Sequence, residues 1–191
     1  MGNGPTTIHT IGHSTRPLDE FIGLLQAASI QCVVDVRRLP GSRAYPQYNA
    51  DALQRSLADA GIEYWHLLAL AGRRRASEIP KLDDDDAPFW TNPSFRRYAA
   101  YAHTKEFHAG LQALEQRAKQ QACAVMCAEA VWWRCHRRII SDYLLADGIR
   151  VLHIMSASKV EVATLTKGAC VIDAQPIYPP NPNPDEEGTL S

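Results

Sequence analysis

A chain of 191 residues, 46% apolar and 21% charged with a formal net charge of -1, is long enough for one compact domain with a sizeable core. Twenty basic against 21 acidic residues exclude a uniformly basic nucleic-acid coat and an acidic disordered protein, so any attraction for anions must be local. No apolar run approaches the roughly 20 residues of a membrane helix, Met1–Thr7 has no basic region leading into an apolar stretch, and five cysteines follow no regular framework; a cytoplasmic protein with reduced thiols and no membrane association is expected.

Thr6–Ile11 is short, β-branched and stopped by Gly12, which reads as a first strand with Gly12, His13 and Ser14 as its exit. Pro17–Ala28 places Leu18, Phe21, Ile22, Leu24 and Leu25 at helical spacing, with Ser14 or Thr15 as cap, Pro17 near the first helical position, and Asp19 and Glu20 in the first turn. Cys32–Val36 is an apolar run of strand length that contains Asp35 and leads to Arg37 and Arg38. Strand, helix and apolar strand in succession predict a single α/β domain built on a mostly parallel, Rossmann-like sheet flanked by helices.

Leu39–Tyr48 is a punctuated loop, and Asn49 is positioned to cap a helix over Ala50–Ala60 whose Gly61 stop leads into a strand at Ile62–Leu67. The pattern dissolves from Ala69 to Thr91, which reads as a long excursion over one face. Asn92 and Pro93 open a helix through Tyr101, and Thr104 caps another over Lys105–Gln120. Ala122–Cys127 is a fourth strand, Trp132 or Trp133 to Asp147 a helix ended by Gly148, and Val151–Met155 a fifth strand. Val171–Ile177 is expected to add an edge strand. The domain is placed at 1–173. Residues 174–191 form a Pro-rich acidic tail, expected to be disordered where Pro179–Ser191 carries four prolines and three acidic residues.

Ligands of open parallel sheets bind beyond the carboxyl ends of the strands, where free amides at helix N-termini attract anions. Three strand exits are chemically dense: Gly12, His13 and Ser14; Asp35, Arg37, Arg38, Ser42 and Arg43; and Cys127, Glu129, Arg134, Cys135, His136 and Arg137. Fifteen of the 20 basic residues are Arg, and nine of them (Arg37, Arg38, Arg43, Arg73, Arg74, Arg75, Arg134, Arg137 and Arg138) fall in or beside loops on this edge. They make a positive rim suited to phosphate, sulfate or carboxylate. The alternative for Arg73–Arg75 is a solvated pairing with Asp83–Asp86.

Cys127 ends a strand and precedes a helix bearing Arg134, Arg137 and Arg138, a setting that lowers a thiol pKa and makes a nucleophile; the alternative is a small buried core residue. Rhodaneses and cysteine phosphatases close such a loop with Arg after five intervening residues, but that position is Trp133, and Arg134 comes one later. Cys127, Cys135 and His136, with Glu129 and His13 nearby, also make a possible metal set. The eight-residue step between the cysteines lacks the close spacing of zinc sites, so no cofactor is expected. Asp35 is equally suited to bonding His13 and to pairing with Arg37. Trp132, Trp133, Tyr45 and Tyr48 are candidates for stacking a base or for packing, and His9, His66, His103, His108 and His153 are read as structural.

The segments TIGHSTRPLDEFIGLL, VVDVRRLPGSRAYPQYN and MCAEAVWWRCHRRII resemble the domain of unknown function 488 family, over about Thr10–Ile154. The resemblance implies a single α/β domain and matches Gly12, His13, Ser14, Asp35, Arg37, Asn49, Cys127, Glu129, Cys135, His136 and Arg137 to the family's polar positions; it implies no activity. The leading expectation is an enzyme for a small anionic or nucleotide-like ligand. Cys127, His136 and Glu129 would be catalytic, and Gly12, His13, Ser14, Asp35, Arg37, Arg43, Asn49, Cys135 and Arg137 ligand-binding. A nucleic-acid or phosphate-binding module without chemistry is the second reading, and a metal-dependent site on Cys127, Cys135 and His136 the third. The sequence sets no oligomeric state.

Overall fold

A computed structural model of the chain describes residues 6–80 and 89–180. Five parallel strands form the main sheet: β1 (Thr7–Gly12), β2 (Cys32–Asp35), β3 (Glu63–His66), β4 (Cys123–Cys127) and β5 (Arg150–Ser156). β6 (Lys159–Val162) returns antiparallel on β5, giving the order β3-β2-β4-β1-β5-β6. The α/β architecture with a mostly parallel sheet follows the reading of the sequence.

The pleat of the central strands sorts the core into two layers. Val34, Cys123 and Val125 point to one face, where they pack with α3 (Pro93–Tyr101), α4 (Lys105–Ala118) and α5 (Arg137–Ala146) through Tyr98, Phe107, Leu111, Ile140 and Leu144. Val33, Ala124 and Met126 point to the other, against α1 (Leu18–Ala27) and α2 (Ala50–Asp59) through Phe21, Leu25, Leu53 and Leu57. Because β2 and β4 are covered on both faces, β4 is an unbroken apolar run and β2 is apolar up to the buried Asp35 at its end, rather than alternating.

β1 and β4 are neighbours, yet β1 leads into α1 on one face and β4 leads toward α5 on the other. Connections that part to opposite faces leave a crevice beyond the strand ends, which is where ligands of such sheets sit.

Several local expectations are corrected. Neither Ser14 nor Thr15 caps α1: Pro17 occupies the cap position, and no side chain bonds the free amides. Asn49 stands at the α2 cap position, but its Oδ1 accepts from the Ser42 N–H at 2.6 Å and so ties down the preceding loop. Asn92 and Thr104 do cap, accepting from the amides of Ser94 and Phe107. The helix expected from Trp132 is a single 3-10 turn, Trp132–Arg134, followed by extended Cys135, with α5 starting only at Arg137.

Val171–Ile177 is not an edge of the main sheet. It forms a separate hairpin, β7 (Cys170–Ile172) and β8 (Gln175–Ile177), turning through Asp173 and Ala174 in the left-handed region. The segment after 174 is therefore partly ordered: Tyr178 donates to the buried Asp142 carboxylate at 2.9 Å. The expected disorder of Pro179–Ser191 falls largely on 181–191, and the pairing of Arg73–Arg75 with Asp83–Asp86 depends on 81–88; both stretches lie outside the described residues. No described helix is long and apolar enough to cross a membrane.

Candidate functional site

At the crevice, the first and fourth strand exits are sewn together by backbone. The His13 N–H donates to Cys127 O at 3.0 Å, and the Ser14 N–H to Ala128 O at 2.9 Å. Gly12 lies beneath this seam, where an added Cβ would stand 1.9 Å from Glu129 O and 2.8 Å from Ala130 O. Only glycine lets the loop after Cys127 lie so close to β1. Ser14, with φ +49, then turns the chain toward α1.

The β2 exit is a closed polar array. Asp35 is fully buried, and its Oδ1 accepts from the Arg37 backbone N–H and Nε at 2.9 Å each. Its Oδ2 accepts from Arg37 Nη2 at 2.6 Å and from the Tyr64 hydroxyl at 2.8 Å. Arg37 Nη1 donates to His13 Nε2 at 3.2 Å, and His13 Nδ1 donates to Ser14 O at 2.9 Å. This network assigns the proton of His13 to Nδ1. Burial, aided by the Arg37 charge and against the Ser14 bond, pushes the His13 pKa down to about 4, so it is neutral at neutral pH. Its ring stacks on Tyr48 at 4.1 Å. Asp35 thus pairs with Arg37 rather than with His13.

The β4 exit is different. The 3-10 turn and the extended residue after it swing Cys135 back toward Cys127, and His136, at the cap position of α5, joins them. The two sulfurs and a ring nitrogen of His136 lie within 4.8 Å of one another. His136 Nε2 donates to Val36 O at 3.1 Å, so Nδ1 is the unprotonated nitrogen, and it faces Cys135 Sγ at 3.5 Å. Gly72 makes room for this ring, since a Cβ there would be 2.7 Å from Nδ1.

The ionisation expected of Cys127 is reversed. Its hydrogen bond to Cys135, together with burial, raises the Cys127 pKa well above the usual thiol value. Burial also acts upward on Cys135 but is outweighed by the bond from Cys127 and by the Arg137 charge, which hold that thiol well below the usual value. Arg137 Nε donates to Cys135 Sγ at 3.4 Å. Of the two, Cys127 holds its proton more firmly and Cys135 is the more acidic.

These exits open into a cleft of about 650 Å³ lined by His13, Ser14, Arg37, Cys127, Glu129, Cys135 and His136, with Arg38, Arg73 and Arg134 among the cations and Tyr45, Phe95 and Tyr98 among the rings. Arg38 pairs with Glu78 at 2.8 Å. Several expected ligand-binding residues lie elsewhere. Arg137 is buried and also donates to Glu129 O, which fixes the loop rather than facing the cleft. Gly12 and Asn49 act from beneath and beside it, and Arg43 is exposed outside the lining. Arg74 is buried, donating to the carbonyls of Leu68, Ala69 and Ala71 with its guanidinium 3.7 Å over the Tyr101 ring. Arg138 bonds Thr166 and lies over Trp90. Trp132 packs flat on His153 at 4.4 Å and donates to Glu161.

A family model described as Domain of unknown function DUF488 matches residues 17–144. The chain belongs to this family. The DUF488 match spans β2, β4 and the start of α5, and so contains the Asp35–Arg37 array and the Cys127–Cys135–His136 cluster, while the β1 exit with His13 precedes it. Nothing among curated proteins or solved structures matches the chain. Sequence reasoning passed over four contributors in this DUF488 protein: Tyr64, which completes the Asp35 shell; Gly72, which admits His136; and Ser94 and Phe95, which line the cleft. The signal that could have found Gly72 is its place in the long excursion after Leu70, which folds back over the strand exits.

Proposed function

We propose that this DUF488 protein is an enzyme that holds a small anionic, nucleotide-like ligand in the cleft and acts on it at the Cys127–Cys135–His136 cluster. The observation that supports this most is the company the cluster keeps. It faces an opening shared with Arg73 and Arg134, two exposed guanidiniums without an ion-pair partner among the described residues. The volume of the cleft falls in the range of about 300–1,000 Å³ usual for small-molecule sites.

In this reading Arg73 and Arg134 grip the anion, and Arg38 joins them when the ligand competes with Glu78. The faces of Tyr45 and Phe95 receive a flat ring. Arg37 and His13, saturated by Asp35 and Ser14, form a rigid wall and position the ligand. Glu129, exposed at the lip, carries protons to and from solvent, and His136, tied at Nε2, acts only through Nδ1 on the sulfur side.

Calorimetric titration with AMP, ADP and pyrophosphate tests the reading, with phosphorus NMR to follow any turnover. Saturable 1:1 binding is expected, weakened about tenfold by Arg73→Ala and again by Arg134→Ala, or about 1.4 kcal/mol each. No saturable binding of any of the three, or binding indifferent to the double substitution, would remove it. A non-catalytic nucleic-acid module would instead bind oligonucleotides with a steep salt dependence and displace the small anions.

A further inference from the structure

We propose that Cys127 Sγ, Cys135 Sγ and His136 Nδ1 are three ligands of a zinc site whose fourth position opens into the cleft. This goes beyond the anionic-ligand reading and does not depend on it. Thiolate and imidazole donors in a three-residue set select zinc among the common divalent ions, and three protein ligands with one open position is the arrangement of catalytic rather than structural zinc.

The geometry is close to what zinc demands. With Zn–S of about 2.3 Å and Zn–N of about 2.0–2.1 Å, tetrahedral bonding separates a sulfur from a nitrogen ligand by about 3.6 Å and two sulfurs by about 3.8 Å. Cys135 Sγ and His136 Nδ1 are already 3.5 Å apart, and no pair in the cluster exceeds 4.8 Å. Small side-chain rotations would bring the remaining pairs to these separations.

The surroundings are those of a metal-binding histidine. The bond from His136 Nε2 to Val36 O fixes the tautomer that leaves Nδ1 free to ligate, as a backbone carbonyl does for many metal-bound imidazoles. Arg137 donates to Cys135 Sγ, an outer hydrogen bond that orients the sulfur. Gly72 supplies the space for the ring. Two thiolates balance the ion's charge, so no carboxylate is needed. All three donors line the cleft, which leaves the remaining position for water or a ligand oxygen. Water bound there ionises at a far lower pH than bulk water.

The test uses the full chain, freed of metal by chelator under reducing conditions and titrated with zinc alone, then with cobalt as a spectroscopic stand-in. One ion per chain is expected, with the sulfur-to-cobalt absorption and intense visible bands of a tetrahedral complex. Cys127→Ser, Cys135→Ser and His136→Gln should each weaken binding by about a hundredfold or more, beyond the 10–100-fold cost of losing an outer partner. Cys170→Ala, which removes an exposed cysteine outside the cleft lining, should change nothing.

X-ray absorption on the zinc-loaded unaltered chain needs no variant to fold and should count two sulfurs with nitrogen or oxygen completing four ligands. No stoichiometric binding, a sulfur count other than two, or affinity that survives loss of Cys135 would overturn the site. Zinc binding without anion binding would sink only the ligand reading; anion binding by a chain that never takes zinc would sink only this one.

Discussion

Two strand exits meet in one cleft and carry equally polar sequences, yet they are opposite in character. Beyond β2, Asp35 and Arg37 satisfy one another, with Tyr64 and His13 taking what remains, and both charges are buried at 0% and 7% exposure. Beyond β4, Cys127, Cys135 and His136 line the cleft with two sulfurs and a ring nitrogen that meet one another rather than a fixed counter-charge. A closed array fixes a shape; donors left over at a cleft are available to something from outside. The density of chemical side chains alone does not separate the two cases, whereas a count of unused donors and acceptors does.

The largest effect should come from breaking the closed array. Asp35→Asn leaves the Arg37 guanidinium buried without a counter-charge, and urea unfolding should show a loss of about 3–5 kcal/mol. Cys127→Ser, at the open exit, should cost about 1 kcal/mol. If the two losses were equal, or their order reversed, the contrast between a closed exit and an open one would fail.

Gly12→Ala probes the seam that holds both exits at one level. The new methyl would meet backbone, not a side chain that can swing aside, so a loss of about 3 kcal/mol is expected, the upper end for overpacking. Thermal unfolding measures it, and the variant should also bind zinc more weakly, because Glu129 and the loop after Cys127 must move. A stable variant with unchanged affinity would mean that the seam does not position the cluster.

Acid tests the closed array without mutation. His13 and His153 are buried, and both have a pKa of about 4, lowered chiefly by burial. In the unfolded chain each titrates near 6.5, so between these values the unfolded state binds more protons and stability falls as pH falls. From pH 7.5 to pH 5 the loss is about 2 kcal/mol for each histidine. His153→Gln should remove roughly half of this pH dependence, since Thr10 can still bond a polar side chain there. Glu115, whose carboxyl burial raises to about 7, acts in the opposite sense in both chains, so the comparison is between variants: a His153→Gln profile parallel to that of the unaltered chain would show that the His153 ring is solvated or protonated in the fold.

The sheet was legible because its signals are local: strand-length apolar runs, Gly and Pro punctuation, and the 3.6-residue stripes of α1, α2 and α4. The place of the cleft was legible too, since the strand exits of a parallel sheet are fixed once the strands are recognised. What could not be read was how each side chain is spent. Arg37, Arg74 and Arg137 look alike in sequence, but burial turns each inward to a carboxylate, a set of carbonyls, or a carbonyl and a sulfur. The ionisation of the cysteines was misplaced for a related reason. It depends on the extended conformation of Cys135 between a 3-10 turn and α5, which brings two sulfurs together across eight residues and has no signature in the spacing. β6 escaped notice because, at an exposed edge, Lys159–Val162 has no apolar run to mark it.

The smallest expected effect is the sharpest on the cations. Arg43 and Arg134 are both exposed arginines on loops at the same edge, but only Arg134 lines the cleft. Among the described residues neither side chain makes a hydrogen bond or ion pair, so Arg43→Ala and Arg134→Ala should each stay within about 0.5 kcal/mol of the unaltered chain in unfolding. They should part in pyrophosphate titration, where Arg134→Ala weakens binding about tenfold and Arg43→Ala leaves it unchanged. Equal weakening by both would mean that the anion feels only the summed field of the rim, and the cleft would then lose its claim to a defined grip.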